Sequence, residues 1–136
     1  MTTLENEEKR SLIARAVEAR RQAYAPYSKY MVGAALRSKA GHVYGGCNVE
    51  VAAYPNGTCA ERTALFKAVS EGERQFDVIA VVTENGGSPC GGCRQALAEF
   101  GLEIIVLIAD ADGRLLHETT IADLLPHAFT PGDHPQ

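Results

Sequence analysis

Two aliphatic segments on either side of a predicted helix constrain the fold of this chain more than any other feature. Residues 77–83 and 103–110 are near-continuous apolar runs, which is typical of strands covered on both faces. Between them, residues 84–88 form a predicted loop and residues 89–100 a predicted helix. A strand–helix–strand unit of this kind places its two strands parallel in one sheet, so the sequence predicts an α/β fold.

Further elements are predicted on both sides of this unit. Residues 32–39 and 42–47 are predicted to pair as a hairpin with Ala40 and Gly41 at its turn. The remaining predicted elements are helices at 5–24, 58–71 and 120–125, a strand at 114–118, and an irregular tail after Phe129. Together they predict one domain over residues 1–136, a three-layer α/β sandwich whose mixed central sheet of about five strands is covered by helices.

Composition disfavours several classes of partner. Of the 136 residues, 46% are hydrophobic and 22% charged, the balance of a globular domain and not of a disordered chain. The chain has 13 Lys and Arg and 17 Asp and Glu, and the resulting net charge of -4 disfavours nucleic acid as a partner. The longest purely apolar run, 104–109, is far shorter than the roughly 20 residues of a membrane span, and the N-terminal residues are too charged for a secretory signal. The sequence therefore predicts a cytoplasmic protein with no nucleic-acid or membrane partner.

The four cysteines carry the main chemical signal. In a cytosolic protein they favour metal binding or redox chemistry over disulfides. The spacing of Cys90-Gly-Gly-Cys93 fits both a zinc hook and a dithiol redox site. Cys59, in Cys59-Ala-Glu61, also opens a predicted helix and favours a metal site. Cys47 is predicted to be a small core residue and not a ligand.

Helix capping suggests how three of these thiols meet. With Thr58 and Ser88 as the predicted N-caps, Cys59 and Cys90 lie in the first turns of two helices, and Cys93 lies one turn further along. Helix N-termini favour negative charge and therefore thiolates. Three thiolates can hold Zn²⁺ and leave a fourth tetrahedral position open, which is typical of catalytic zinc.

Three thiolates on a dication leave a net negative charge, so such a site needs a nearby cation. Arg62 and Arg94 each follow a site residue directly in the sequence and are the candidates. Arg62 is the first choice of the two.

Two roles are open for Glu61. Thr58-x-x-Glu61 matches a capping box, in which the carboxylate only accepts from a backbone amide. However, a Glu two positions after one ligand, with Pro-Cys-x-x-Cys downstream, is the signature of zinc-dependent nucleobase deaminases, where the Glu moves protons.

Over residues 10–129 the chain resembles a cytidine deaminase of the small, homotetrameric, zinc-dependent type. The motifs that carry the resemblance are Ala25-Pro-Tyr-Ser-Lys-Tyr30, Val32-Gly-Ala-Ala35, Gly46-Cys-Asn-Val-Glu50, Cys59-Ala-Glu-Arg-Thr63 and Ser88-Pro-Cys-Gly-Gly-Cys-Arg-Gln95. The resemblance implies hydrolysis of cytidine and deoxycytidine to uridine and deoxyuridine with release of ammonia, as in pyrimidine salvage. It further implies one zinc ion per subunit and active sites shared within a homotetramer.

The resemblance also implies roles for the residues of the reaction centre. Its zinc ligands match Cys59, Cys90 and Cys93. Its catalytic carboxylate matches Glu61, and the arginine that contacts the zinc thiolates matches Arg62.

A second set of implied roles concerns the substrate. Asn48 and Glu50 match a pair that hydrogen-bonds the ribose, and Tyr30 takes a position beside the nucleoside. Ala60 matches a further substrate-binding position. Phe129 matches a C-terminal aromatic residue that covers the pocket of a neighbouring subunit.

This chain departs from the family pattern at two of these positions. Val51 stands where the family typically has Asn, which affects the loop beside the ribose. Tyr30 replaces a usual Phe and adds a hydroxyl that must find a partner or stay in contact with water.

Three alternatives stay open at this point. In a non-catalytic zinc-binding module, Cys47 would close the site as a fourth ligand. A related deaminase would act on an aminated nucleoside or heterocycle other than cytidine. A thiol redox protein would use Cys90 and Cys93 and leave Cys59 unexplained.

Overall fold

The computed structural model describes residues 4–134. Its helices and strands, in chain order, are α1 (Asn6–Arg20), β1 (Gly33–Ser38), β2 (Val43–Cys47), α2 (Ala60–Ser70), β3 (Phe76–Val82), α3 (Gly91–Ala98), β4 (Ile105–Ala109), β5 (Leu115–Thr120) and α4 (Ile121–Leu124). Two single 3₁₀ turns lie at Tyr54–Asn56 and Pro131–Asp133. Every predicted helix and strand is present within a few residues of its predicted bounds.

The described strands form one five-stranded mixed sheet in the order β2-β1-β3-β4-β5. β1 pairs antiparallel with β2 and β3, and β4 pairs antiparallel with β5. β3 and β4 pair in parallel, with Val78 opposite Ile105 and Val82 opposite Ala109. The helix α3 connects these two strands, so the predicted strand–helix–strand unit is confirmed.

The sheet is covered on both faces. Alternate residues of β3 point to opposite sides, so Ile79 and Val81 belong to one apolar core and Val78, Ala80 and Val82 to the other. The first core packs against α2 and α3, and the second against α1. The predicted three-layer α/β sandwich is therefore confirmed. Between residues 4 and 134, no helix has the length and apolar character needed to cross a membrane.

Two predictions about the ends of elements were wrong. The first helix ends at Arg20, not near residue 24, because Tyr24 leaves the helix and forms a bridge to Val49. The Tyr24 N–H donates to the Asn48 carbonyl at 3.0 Å. The tail after Phe129 is not wholly irregular, since residues 131–133 form a 3₁₀ turn.

A close approach of α2 to β2 places the start of α2 at one end of the sheet. At Gly46 a Cβ atom would lie 2.5 Å from the Ala64 nitrogen and 2.6 Å from the Ala60 carbonyl oxygen. Both atoms belong to the α2 backbone and cannot swing aside. The helix can therefore lie this near the strand only because residue 46 has no side chain.

We predict that Gly46→Ala lowers the free energy of unfolding by about 1–3 kcal/mol, because the added methyl forces α2 away from the sheet. Gly45→Ala is the matched control, since a Cβ at the neighbouring glycine would have its nearest atom at 3.5 Å. Urea denaturation followed by circular dichroism measures both. Equal stability of the two variants would contradict the close-approach explanation.

Candidate active site

Two of the predicted metal ligands are the N-cap residues of their helices. Cys59 caps α2 and Cys90 caps α3, both with extended backbone. The prediction of Thr58 and Ser88 as N-caps was therefore wrong by one and two residues. At Cys90 the sulfur itself accepts from the Cys93 N–H at 3.4 Å, which is the role that Ser88 was expected to fill at this helix.

The three thiols converge on one point. The Cys59 and Cys90 Sγ atoms are 3.8 Å apart, and those of Cys90 and Cys93 are 3.4 Å apart. All three Sγ atoms lie within 4.8 Å of one another, and within residues 4–134 no fourth cysteine, histidine or carboxylate belongs to the group. Cys93 is buried, Cys59 half-buried and Cys90 exposed. This donor set fits zinc, and three protein ligands are typical of a catalytic and not of a structural zinc site.

Cys47 lies outside this group. The Thr63 hydroxyl donates to its carbonyl at 2.9 Å, which ties the end of β2 to the first turns of α2. Cys47 is half-buried and belongs to neither apolar core, so its prediction as a small core residue was wrong, while it stays outside the thiol cluster as predicted. A four-cysteine site of the kind expected for a structural zinc module is not formed among residues 4–134.

Arg62 supplies the positive charge beside the sulfurs. Its Nη2 donates to Cys59 Sγ at 3.3 Å, and its buried Nε has no partner among the described residues. Hydrogen bonds from Cys93, Arg62 and Cys90 lower the pKa of the Cys59 thiol to about 5. The pKa of Cys93 is raised instead, by its hydrogen bond to Cys59 and by burial. The cluster thus holds Cys59 as a thiolate near neutral pH.

Arg94 does not contact the thiols, so its prediction as a second source of positive charge was wrong. Its guanidinium donates to the carbonyls of Pro89 and Leu124 at 2.8 and 2.7 Å and to the Ser88 hydroxyl at 2.8 Å. The physical reason is competition for the guanidinium. Arg94 lies four residues after Cys90, but these three oxygen acceptors bind its N–H groups and hold them away from the sulfurs.

Glu61 is a buried carboxylate with no capping role. Because Cys59 is the N-cap, Glu61 is the second residue of α2, and the capping box with Thr58 does not form. Glu61 is only 4% exposed. Burial raises its pKa to about 7, and the charge of the Cys59 thiolate adds to the effect. The side chain is therefore able to hold or release a proton near neutral pH.

A cavity of about 750 Å³ opens in front of these groups. Of the residues predicted to form the site, it is lined by Tyr30, Asn48, Glu50, Cys59, Glu61, Arg62 and Cys90. Cys93 lies behind this surface and is fully buried. The volume is within the usual range for pockets that bind small organic molecules.

Two predicted substrate-binding residues do not line this cavity. Ala60 is fully buried, and as the first residue of α2 its N–H has no acceptor within the helix. Phe129 is 56% exposed, and Gln95 donates to its carbonyl at 2.7 Å. The Phe129 ring is therefore available to contact another molecule.

Tyr27, Ser28 and Tyr54 are among the residues of the cavity wall that sequence reasoning missed. Tyr27 and Tyr54 pack edge to face at its mouth, with ring centroids 5.5 Å apart. Ser28 lies beside them. Tyr27 and Ser28 belong to a motif that carries the family resemblance and were open to prediction, whereas no local signal marks Tyr54.

Glu50 and Asn48 each hold a neighbouring loop. The Glu50 carboxylate accepts from the Tyr27 and Ser28 N–H groups at 3.1 and 3.0 Å and from the Ser28 hydroxyl. These bonds, that of the hydroxyl above all, lower the pKa of Glu50. The Asn48 amide accepts from the Val32 N–H and donates to the Tyr30 carbonyl, both at 2.8 Å. The loop before β1 is thus fixed by the two residues that face the cavity.

The two departures from the family pattern have clear positions. Val51 lines the cavity, where it replaces a polar side chain with an apolar one. The added hydroxyl of Tyr30 finds a protein partner, because it donates to Asn85 Oδ1 at 3.0 Å.

Comparison with known proteins agrees with this geometry. Residues 6–109 match the family model described as the cytidine and deoxycytidylate deaminase zinc-binding region. The chain belongs to this deaminase family. Zinc is the ion that the family binds, and the Cys59, Cys90 and Cys93 thiols provide a donor set for it.

Individual deaminases are similar over most of the chain. A cytidine deaminase of Sporosarcina psychrophila is 52% identical over 125 residues, which is 90% of this chain and 91% of the relative. The crystal structure of cytidine deaminase from Burkholderia pseudomallei superposes with a TM-score of 0.84 at 46% identity and covers 93% of this chain and 100% of that one. A blasticidin-S deaminase of Bacillus cereus is 34% identical over 113 residues, 76% of this chain and 79% of the relative.

We predict that Cys93→Ala reduces bound zinc from about one ion per chain to less than about a tenth, because two thiols do not complete the donor set. Cys47→Ala is the control, since Cys47 lies outside the cluster. Atomic absorption on purified protein measures both variants. Loss of zinc from Cys47→Ala with the protein still folded would point to a four-cysteine site.

Proposed function

We propose that the protein is a zinc-dependent hydrolase that deaminates cytidine and deoxycytidine to uridine and deoxyuridine and releases ammonia. One observation carries this proposal: the cluster of three thiols lies beside the buried carboxylate of Glu61, and Cys59, Cys90 and Glu61 line the same cavity. The similarity to proteins named cytidine deaminase supports it. As zinc ligands we propose Cys59, Cys90 and Cys93.

In the proposed mechanism, Glu61 moves the protons. The cytosine C4 atom is a poor electrophile until N3 is protonated, and water is a poor nucleophile until it loses a proton. When bound, zinc acts as a Lewis acid that allows water to be deprotonated near neutral pH. The Glu61 carboxylate takes one proton from the water and delivers it to N3 while the hydroxide adds to C4. It then takes the second proton of that water from the new C4 hydroxyl and delivers it to the amino group, which leaves as ammonia when the C4–N bond breaks. One side chain therefore serves in turn as base and as acid.

Arg62 supports this chemistry from beside the sulfurs. Its hydrogen bond to Cys59 offsets part of the negative charge of three thiolates. Without that cation, the excess negative charge would oppose deprotonation of the nucleophilic water. We assign Arg62 to charge balance and not to contact with the substrate.

The opposite wall of the cavity suits a neutral sugar. We propose that Asn48 and Glu50 hydrogen-bond the ribose hydroxyls, that the ring of Tyr30 lies beside the nucleoside and that the Ala60 backbone N–H contacts it. The hydrogen bonds from Ser28 and Tyr27 keep the Glu50 carboxylate ionised, so it repels a phosphate group. Nucleosides are therefore the proposed substrates, in preference to their phosphates.

Assembly, location and domain extent complete the proposal. We propose a homotetramer in which Phe129 covers the pocket of a neighbouring subunit, because Phe129 is exposed and does not line its own cavity. We also propose a cytoplasmic location, a role in pyrimidine salvage, no nucleic-acid partner, and a single deaminase-like domain over residues 1–136.

A second candidate substrate is an aminated nucleoside or heterocycle other than cytidine. Val51 makes the cavity wall more apolar than the family pattern, and one relative is named for deamination of blasticidin S. The higher identity to proteins named cytidine deaminase favours cytidine.

We predict that zinc-loaded protein converts cytidine to uridine, which ultraviolet absorbance follows directly, and that a chelator abolishes the change. Cytidine 5′-monophosphate is the matched control and is expected to react at least about 10-fold more slowly, because Glu50 repels its phosphate. Equal turnover of the two would overturn the proposed sugar contact. No turnover of cytidine would direct attention to another aminated substrate.

We predict that Glu61→Gln lowers kcat by at least about 100-fold while the protein keeps its fold and its zinc, because glutamine cannot transfer protons. Glu71→Gln, at the exposed end of the same helix, is the control and is expected to retain full activity. A purely structural role of Glu61 would instead lower the melting temperature and leave turnover largely intact.

A further inference from the structure

The loop between β3 and α3 carries a polar cluster that the proposed chemistry does not use. This cluster, named the Asn85 cluster, consists of Tyr30, Thr83, Asn85 and Gly87. The Gly87 N–H donates to the Thr83 hydroxyl at 2.6 Å, and that hydroxyl lies 3.5 Å from Asn85 Oδ1. The Tyr30 hydroxyl comes from a different loop and donates to the same Oδ1 atom at 3.0 Å. The cluster therefore joins two loops that are distant in the sequence.

Tyr30 is bound to both sides of the cavity. Its N–H donates to the Ser28 hydroxyl at 3.0 Å, and that hydroxyl donates to Glu50. Its carbonyl accepts from Asn48 at 2.8 Å. Through its hydroxyl, the same residue reaches the loop that ends at the N-cap cysteine of α3. Tyr30 thus connects the proposed sugar side of the site, through its backbone, to the thiol side, through its side chain.

The hydroxyl of Tyr30 has a partner that is not part of the cavity wall. Tyr30 lines the cavity, whereas its partner Asn85 does not. The hydrogen bond to Asn85 therefore restrains the orientation of a ring that faces the cavity, and its effect on a ligand is expected to come through that orientation.

Gly87 provides the space for this hydrogen bond. A Cβ atom at residue 87 would lie 2.5 Å from the Tyr30 hydroxyl oxygen, while its next nearest neighbours would be at 3.6 and 3.8 Å. Gly87 is not among the residues with positive φ, so alanine fits its backbone. The methyl of alanine would displace the hydroxyl and little else.

We propose that Tyr30 is a positioning residue whose hydrogen bond to Asn85, admitted by Gly87, fixes the aromatic wall against which the base or sugar of a nucleoside packs. The identity of that ligand rests on the proposed function. A phenylalanine at residue 30 would keep the wall but lose the restraint, so the ordering of the ring would have to accompany binding.

The first test separates binding from chemistry. Tyr30→Phe and Asn85→Ala are each expected to raise KM for cytidine by about 3- to 10-fold, the value of one hydrogen bond, with kcat changed by less than about 2-fold. The double variant is expected to have a KM no higher than that of either single variant. Asn85→Asp keeps an acceptor oxygen and is expected to restore the original KM. Tyr24→Phe, an exposed tyrosine outside the cavity, is the control.

The second test uses Gly87 in two backgrounds. Gly87→Ala is expected to raise KM as much as Tyr30→Phe does, although the tyrosine is still present. In the Tyr30→Phe background, Gly87→Ala is expected to have no further effect, because no hydroxyl occupies the space. A general disturbance of the loop would make the two changes additive, and additivity overturns the proposal.

Further outcomes decide the proposal on their own. Unchanged KM in Tyr30→Phe, or equal KM in Asn85→Asp and Asn85→Ala, overturns it. If the original protein does not deaminate cytidine, the proposed function fails, and melting temperatures measured without ligand then test the hydrogen bond between Tyr30 and Asn85. Non-additive losses of melting temperature in the double variant of Tyr30→Phe and Asn85→Ala support the proposal, and additive losses overturn it.

Discussion

The structure depends on two helix N-termini that meet at one end of the sheet. Strand register brings Cys47, Gly33, Val82 and Ala109 side by side at this end. There α2 begins because Gly46 lets it lie against β2, and α3 begins because it follows β3 in a right-handed parallel unit. The unpaired N–H groups of both first turns then favour negative charge in the same small volume. The topology therefore creates a region that favours thiolates through the backbone alone.

Within that volume, opposite physical causes set the protonation of neighbouring groups. Hydrogen bonds, including one from Arg62, lower the pKa of Cys59, whereas loss of solvent raises the pKa of Glu61. The two effects reinforce each other, since a thiolate at Cys59 makes a second negative charge at Glu61 less favourable. Environments that push neighbouring pKa values apart are how one site holds both an ionised ligand and a proton carrier. Arg62 reduces the electrostatic repulsion between these negative groups, because it lies on the same face of α2 as Cys59.

The parts predictable from sequence are those governed by local pattern. Aliphatic runs and helical periodicity predicted the described helices and strands and the parallel pair, and the pattern of Cys59, Cys90 and Cys93 predicted that their thiols meet. The errors arise where distant contacts decide. The first helix ends early because Tyr24 pairs with a residue far along the chain. Arg94 does not contact the thiols because its guanidinium binds the carbonyl of Leu124, which is also distant in the sequence. Capping preferences predicted the starts of α2 and α3 one and two residues too early. The N-caps are Cys59 and Cys90, and cysteine is not among the residue types that usually cap a helix.

The two sides of the cavity are built by different means. The side with the three thiols rests on helices anchored in the sheet, whereas the other side is made of loops that Asn48 and Glu50 hold through backbone hydrogen bonds. These two residues therefore combine a structural duty with the proposed contact to the ribose. Truncating Glu50 would leave the Tyr27 and Ser28 N–H groups without their acceptor as well as removing a ligand contact. Loss of activity in such a variant would mix both causes, whereas Asn85, the partner of the Tyr30 hydroxyl, does not line the cavity, so its removal takes away no group from the wall.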